Sequence, residues 1–499
     1  MLERHDWITP TLAGRPWLEK PPLYYWQAMI VYSVFGVSDW AARLPSVVDA
    51  TLLVLAIYFF LRRFRHGFEL DGALITASCA AVTGYARAAS TDMPLAAAFT
   101  AGMLAWWAWR ESGRRLYLWT FYAAMAFGTL AKGPVAPLLA AIVVLLYAIA
   151  SREPRLIART LSLPGIALFC AIALPWYAAV QAQNPQFFQE FIVQHNFGRF
   201  AKDLYHHTEP FWYYLPVTAL ALVPWTVFIA AALLQTARLW REERKSSSST
   251  LPGPDSGYGL SLFAACWLIA PVIFFSFSQS KLPGYILPAI PAGALLLAEY
   301  LRQRVANDAA RLPSGLAVLH GVVAAAPIVP ALLVAYLLTQ RRLPGGQPMF
   351  IALAAAFLLC AGIALTLASR LGLRMLRFVT LIPVVLVIAA VLKIGSATLD
   401  QTLSARPLKQ EIAGMQTHPL PLAVYHVPRE LEYGLTFYRN QLTINYDRGT
   451  IPEGEHLVVA PENSRQEIAL RVGDRRVSLI GHYAPQHVDY FWVAGGKAH

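Results

Sequence analysis

Charge is scarce in this chain. Only 14% of its 499 residues are Asp, Glu, Lys or Arg, against 57% hydrophobic, and the mean hydropathy is +0.45. A soluble domain carries about 25% charged residues, so the shortage excludes an ordinary soluble enzyme and indicates a polytopic membrane protein. Cysteine is scarcer still: Cys79, Cys170, Cys266 and Cys360 sit inside apolar runs, with no spacing of a disulfide framework or a thiolate metal site. No basic tract is interleaved with exposed aromatics. The excess of Lys and Arg over Asp and Glu, 41 to 29, therefore sets membrane orientation and does not point to nucleic acid. There is no internal repeat.

What the chain does have is long apolar runs. Those able to cross a hydrocarbon core of about 30 Å fall near 41–61, 69–86, 92–109, 116–131, 134–150, 162–181, 212–237, 260–278, 284–301, 314–339, 349–369 and 376–396, which predicts about twelve transmembrane helices. Loops rich in arginine, such as Arg62, Arg63 and Arg65 or Arg238, Arg241 and Arg244, alternate with loops that are not. By the positive-inside rule the arginine loops are cytoplasmic. The other face then holds residues 1–40, an outer loop at 182–211, and everything after about 397. The loop 238–259, with Ser246-Ser247-Ser248-Ser249 and nearby Pro and Gly, reads as a flexible cytoplasmic linker. Beyond 397 the pattern turns mixed and polar, with helical periodicity near 406–417 and 429–438. Strand patterns follow at Leu422–Val427, Leu442–Tyr446, Leu457–Ala460, Val477–Ile480 and Val488–Val493. The expected organisation is an outer-face juxtamembrane segment (1–40), an all-α membrane domain (41–397) and a small C-terminal α/β domain (398–499).

Cations on the outer face occupy breaks in apolar sequence. Lys20 precedes Pro21-Pro22, Lys132 precedes Gly133-Pro134, and Lys281 lies in Ser280-Lys281-Leu282-Pro283-Gly284-Tyr285. A charge at membrane depth costs about 2.5–3.5 kcal/mol, so such residues tend to line cavities. Singly, each reads as a snorkelling helix-end side chain; together they suggest an anion site at the outer leaflet. Glu19 and Lys20 sit between aromatics, where an interfacial ion pair is the plainer reading. Asp92, opening a predicted helix before Pro94, is ordinary capping chemistry or a carboxylate aimed into the cavity. His195, His206 and His207 in the outer loop, beside a carboxylate such as Glu19, could bind a divalent metal, though their spacing matches no standard ligand motif.

The order of the motifs is specific where each alone is weak. Asp6-Trp7-Ile8-Thr9-Pro10, Glu19-Lys20-Pro21-Pro22, Ala42-Arg43-Leu44-Pro45, Thr91-Asp92-Met93-Pro94, Lys132-Gly133-Pro134, Pro175-Trp176-Tyr177, His195-Asn196 and Ser280–Tyr285 follow one another over residues 1 to about 300. In this the chain resembles the bacterial branch of the protein-mannosyltransferase-like glycosyltransferases, which includes the aminoarabinose transferase that modifies lipid A. The resemblance implies a GT-C fold and transfer of a sugar from a polyprenyl-phosphate donor to a lipid, glycan or protein acceptor. That donor, the acceptor and membrane lipids would be its partners, with no obligatory soluble cofactor. It further implies donor-phosphate contacts from Lys20, Lys132, Arg199, Lys281 and Tyr285, a supporting catalytic place for Asp92, and a metal or polar contact at Glu19 and His195. It also implies an acidic motif just after a first transmembrane helix, with the principal catalytic Asp; the match begins at Met1-Leu2-Glu3, past that motif. The expectation is thus a chain lacking its first span and that Asp, and neither Asp6 nor Asp92 replaces it. A polyprenyl-phosphate-sugar flippase, which also uses broken helices, and an inactive sugar-lipid-binding relative are the rival readings.

Overall fold

The computed structural model describes residues 1–12, 14–198, 209–245, 258–306, 314–325, 400–415, 418 and 420–496. Arg199, His206, His207, residues 246–257 of the expected linker, Cys360, the predicted spans 349–369 and 376–396 and the latter part of 314–339 lie outside them; the first part of that linker, 238–245, is not flexible loop but the end of the helix Thr226–Lys245. The described residues form two compact units, one of residues 1–10 and 17–325, the other of 11–16 and 400–496. Most of the chain is helical, with a small C-terminal sheet.

In the first unit, Asp6 organises the opening segment. Its carboxylate accepts from the backbone N–H of Ile8 (2.8 Å) and Thr9 (3.0 Å), with Arg4 at 3.3 Å. Burial pushes the Asp6 carboxyl up, but these donors and Arg4 outweigh it and hold the group below its ordinary value. The motif Asp6–Pro10 is therefore a folded turn. Pro21 and Pro22 end the irregular stretch, and α1 (Leu23–Phe35) starts at the next residue.

The apolar runs then appear as α2 (Asp39–Phe64), α3 (Glu69–Ser78), α4 (Ala80–Ala86), α5 (Asp92–Ser112), α6 (Arg115–Lys132), α7 (Val135–Ala150), α8 (Arg155–Thr160), α9 (Leu163–Gln183), α10 (Tyr214–Ala221), α11 (Thr226–Lys245), α12 (Gly259–Ser276), α13 (Ile290–Ala306) and α14 (Ser314–Ala325). Among the described residues, four helices are long and apolar enough to cross a membrane: Asp39–Phe64, Leu163–Gln183, Gly259–Ser276 and Pro283–Arg304. A fifth follows if Phe211–Ala221 and Thr226–Lys245, bent by 114°, count as one span.

The run 69–86 is broken at Cys79, whose backbone is extended (ψ 131°). No Gly or Pro marks this break. The Ala80 N–H donates to the Val223 carbonyl at 2.9 Å, and the Trp225 indole N–H donates to Ser78 Oγ at 2.8 Å. The interruption of one helix thus satisfies the interruption of another, which a membrane interior requires because water is absent. A charge cluster joins α2, α5 and α13. Arg65 pairs with Glu111 (2.8 Å) and lies 3.6 Å from Glu299, which also accepts from Arg302 at 2.5 and 2.8 Å.

The second unit holds two paired strands, β1 (Thr11–Leu12) and β2 (Arg15–Pro16), and a five-stranded mixed sheet. Its strands are β3 (Leu422–Val424), β4 (Ile444–Asn445), β5 (His456–Pro461), β6 (Val477–Tyr483) and β7 (Val488–Val493), in the order β4-β3-β5-β7-β6. β3 runs parallel to β4 and β5, and β7 antiparallel to β5 and β6. Alternation divides its core: Leu457 and Val459 face α15 (Ala405–Met415) and α16 (Arg429–Arg439), while Val458 and Ala460 face α17 (Arg465–Val472).

Candidate functional site

Three chain breaks carry the site. α5 begins at Asp92, with Thr91 as its N-cap and no side-chain cap hydrogen bond. The carboxylate instead pairs with Lys132 Nζ, so the capping role expected of Asp92 is not the one it plays. Lys132 is the last residue of α6, which stops because Gly133 takes φ +86°. The third break is the 3₁₀ turn Pro283–Ala289 leading into α13. There the Tyr285 ring lies 4.7 Å from Lys132 Nζ, within cation–π range.

Gly284 is what lets these parts meet. A Cβ built on it would stand 2.7 Å from Tyr85 Oη and 3.0 Å from Asp92 Oδ1. Tyr85, at the end of α4, therefore belongs to the cluster although no motif singled it out. A phenol at the outer end of an apolar helix ordinarily reads as an interfacial anchor; its position before Arg87 was the available signal.

Lys281 sits close by in sequence and is tied to its own turn. It is buried, and its ammonium donates to the Ser278 carbonyl at 2.6 Å. Tyr214 reinforces the same turn by donating to the Leu282 carbonyl and accepting from the Leu282 N–H, both at 3.1 Å. These contacts fix the turn that presents Gly284 and Tyr285.

Glu19 and His195 do come together: Oε1 and Nε2 are 3.9 Å apart. Leu18 anchors the first by packing with Leu130, Trp176, Val180, Phe187 and Phe191, and the second rides on a π-helix, Phe188–Gly198. The docking is reinforced where the Trp176 indole donates to the Ile8 carbonyl (3.0 Å) and Thr9 Oγ1 to Gln183 Oε1 (3.0 Å). Lys20 follows Glu19 in the same irregular segment, half-buried. Among the described residues there is no group of three His, Cys, Asp or Glu able to hold a metal. Glu19 and His195 supply one oxygen and one nitrogen, a donor set suited to a divalent cation that takes its remaining ligands from phosphate oxygens or water.

A further carboxylate escaped the sequence reading. Asp49, buried in α2, accepts from Gln27 Nε2 at 3.0 Å to each oxygen, which ties α1 to α2.

Comparison with known proteins bears on both sequence and fold. Residues 19–178 match the family described as dolichyl-phosphate-mannose-protein mannosyltransferase. The chain is 32% identical over 326 residues to the undecaprenyl phosphate-alpha-4-amino-4-deoxy-L-arabinose arabinosyl transferase of Pseudomonas aeruginosa, a match covering 63% of this chain and 56% of that protein. It is 30% identical over 308 residues to the like-named protein of Erwinia tasmaniensis, covering 60% and 52%. The chain thus spans little more than half the length of the curated relatives it matches. In three dimensions it is similar to ArnT from Cupriavidus metallidurans bound to undecaprenyl phosphate, with a TM-score of 0.76 at 21% identity over 99% of this chain and 91% of that one. The apo form of that protein gives 0.73 at 20% identity. The resemblance read from the ordered motifs is borne out, in sequence by the family match over residues 19–178 and by relatives matching about three fifths of the chain, and in fold over nearly the whole chain. The protein is a multi-pass membrane protein with the fold of that transferase.

Proposed function

We propose that this chain transfers a sugar from a polyprenyl-phosphate donor to a lipid A-like acceptor at the outer face of the bacterial inner membrane. The observation that carries the reading is the convergence of Lys132, Asp92, Tyr285 and Tyr85 at three helix breaks, around a glycine with no room for a side chain. The relatives' names supply the donor class. In this reading about twelve spans divide the chain into the outer-face segment 1–40, the membrane domain 41–397 and a periplasmic domain 398–499, with the site on the periplasmic side.

In the reaction the bond from the anomeric carbon to the phosphate oxygen breaks, and a bond from that carbon to an acceptor oxygen forms. Negative charge grows on the departing phosphate. Lys132, steered by Asp92 and the Tyr285 face, offers a preoriented positive charge to it, and Lys20 offers a second. Arg199 would add a third from the outer loop, while Lys281 acts by holding the turn beneath Tyr285. An acceptor that is already a phosphate needs no base; for a hydroxyl acceptor a carboxylate must take the proton. Glu19 and His195 would hold a divalent cation, which would place further positive charge beside the phosphate.

Full-length protein in vesicles, given a labelled undecaprenyl-phosphate aminosugar and lipid A, tests the reading. Label appearing on lipid A, and lost on Lys20→Ala and Lys132→Ala, is the expected result. Movement of label across the bilayer without transfer would instead establish a flippase. Retention of donor with neither event would establish a binder. Sensitivity of wild-type transfer to a chelator, absent from residual activity of Glu19→Ala, is expected if the cation is used.

A further inference from the structure

The C-terminal unit contains a cleft built from its own residues alone. The sheet forms its floor, through Leu457 on β5 and Tyr490 and Trp492 on β7. α15 covers this face only as far as Met415, and where the helix stops Ile412 and Met415 form the wall. Glu455, immediately before β5, lies on the rim. The volume of this open cleft is about 240 Å³.

Both aromatic rings are tethered by carboxylates. The Trp492 indole N–H donates to Glu455, and the Tyr490 hydroxyl donates to Glu411 at 2.9 Å. Each ring is held in one orientation, as a stacking platform for the C–H face of a sugar must be. The carboxylate at the edge of Trp492 accepts hydrogen bonds from hydroxyl or ammonium groups lying over the ring. Two carboxylates set the electrostatics, Glu455 on the rim and Glu411 at the Tyr490 hydroxyl, together with the C-terminal end of the eleven-residue helix α15, whose last carbonyls carry partial negative charge; His418 is the other titratable side chain on the lining. A Trp face beside carboxylates attracts a cation both through the ring and through the charge. An uncharged apolar segment would gain from the floor but not from the rim.

We propose that this cleft binds a sugar ring carrying a protonated amine, as a subsite of its own. The contacts are the same whether the ring belongs to a soluble glycan or to a glycolipid headgroup. The proposal does not depend on the transfer reaction.

The test is saturation-transfer NMR on the full chain in detergent micelles, with D-glucosamine, D-glucose and a glucosamine-headed lipid as probes. Glucosamine is expected to bind in preference to glucose. Glu455→Gln should weaken glucosamine about tenfold and erase the preference, since a hydrogen bond to a charged group is lost. Trp492→Leu should abolish binding, and Trp492→Phe, which keeps an aromatic face, should retain most of it and shows that the strand still folds. Lys20→Ala should leave all of this unchanged. The lipid probe responding to Glu455→Gln as the soluble sugar does would place glycolipids among the ligands. Two results overturn the proposal: no binding of either amino-sugar probe, or binding that is lost in Lys20→Ala and indifferent to Glu455→Gln, which assigns the ring to the transfer site. Glucosamine binding as described in a protein that transfers no sugar would support this subsite and overturn the transferase reading alone.

Discussion

Replacing Gly284 by alanine probes the site with a single methyl group. The new Cβ would lie 2.7 Å from Tyr85 Oη and 3.0 Å from both Tyr85 Cε1 and Asp92 Oδ1, where ordinary contact begins at 3.4 Å. The phenol oxygen would have to retreat by about 0.7 Å, and Asp92, tethered to Lys132, has little freedom to follow. All the atoms in the way belong to side chains, so the fold survives; overpacking of this kind costs about 1–3 kcal/mol. Transfer should fall in addition to any loss of stability, because a displacement of about 1 Å in a positioned group can cost about 10²-fold in rate. The vesicle transfer assay, with thermal unfolding in detergent run alongside, measures both. Tyr85→Phe removes the nearest obstructing atom, so Gly284→Ala should cost less in a Tyr85→Phe background than alone, with an interaction energy of about 0.5–3 kcal/mol. Transfer by Gly284→Ala within twofold of wild type, at unchanged stability, would show that the packing of Tyr85 and Asp92 against this turn is not used.

Other expectations concern charge. Lys132→Met strands the Asp92 carboxylate in largely apolar surroundings and should lower the Tm more than Lys132→Met combined with Asp92→Asn, a non-additivity read in the same unfolding assay. Glu299→Gln removes the buried negative charge that pairs with Arg302 and neighbours Arg65 while keeping one acceptor oxygen; it should destabilise the membrane unit by about 1.5–3 kcal/mol while donor binding per folded molecule, measured by ligand titration, stays unchanged. In the C-terminal unit, burial holds the His456 pKa below its usual 6.5, against a carbonyl of Gly454 that raises it, with Arg475 nearby lowering it further. The unfolded chain then binds the proton more readily than the folded one. The stability of this unit should be full above about pH 6.5 and fall as the pH drops through and below that value. Hydrogen exchange of strand β5 at pH 7.5 and 5.5 in the intact protein reads the effect, and equal protection at both would refute it.

Much of the site is written at chain breaks, and breaks made by proline and glycine are legible. Lys132 before Gly133-Pro134, Asp92 before Pro94, and Tyr285 after Pro283-Gly284 all stand where the sequence places helix ends. That Asp92 and Lys132 pair is not legible, because they lie 40 positions apart and each has a sufficient local explanation. The break at Cys79 is invisible for another reason: its partner, the Val223 carbonyl, lies in a distant segment, and the local sequence reads as continuous helix. In the C-terminal unit all five strand patterns correspond to strands of the sheet, the central ones β3 and β5 being short continuous apolar runs buried along their length. Helix α17 went unread because only Ile468 and Val472 of its eight residues are buried, too few to set up a periodicity. Lys281 was placed by analogy with the other cations. Its burial and its bond to a carbonyl three residues back are features of the folded turn that composition does not show.

The mutual satisfaction of the two helix interruptions has a consequence for how the protein is made. Ser78 and Trp225 are 147 positions apart, so α3 and α4 leave the ribosome long before their partners exist. Until α10 and α11 have entered the bilayer, the Ala80 N–H lacks the Val223 carbonyl, and the bond open to it is the i−4 bond to the Thr76 carbonyl, which would run the segment as one uninterrupted helix through Cys79. The break, and with it the final placement of Tyr85, is then a late event of assembly imposed by a segment synthesised afterwards.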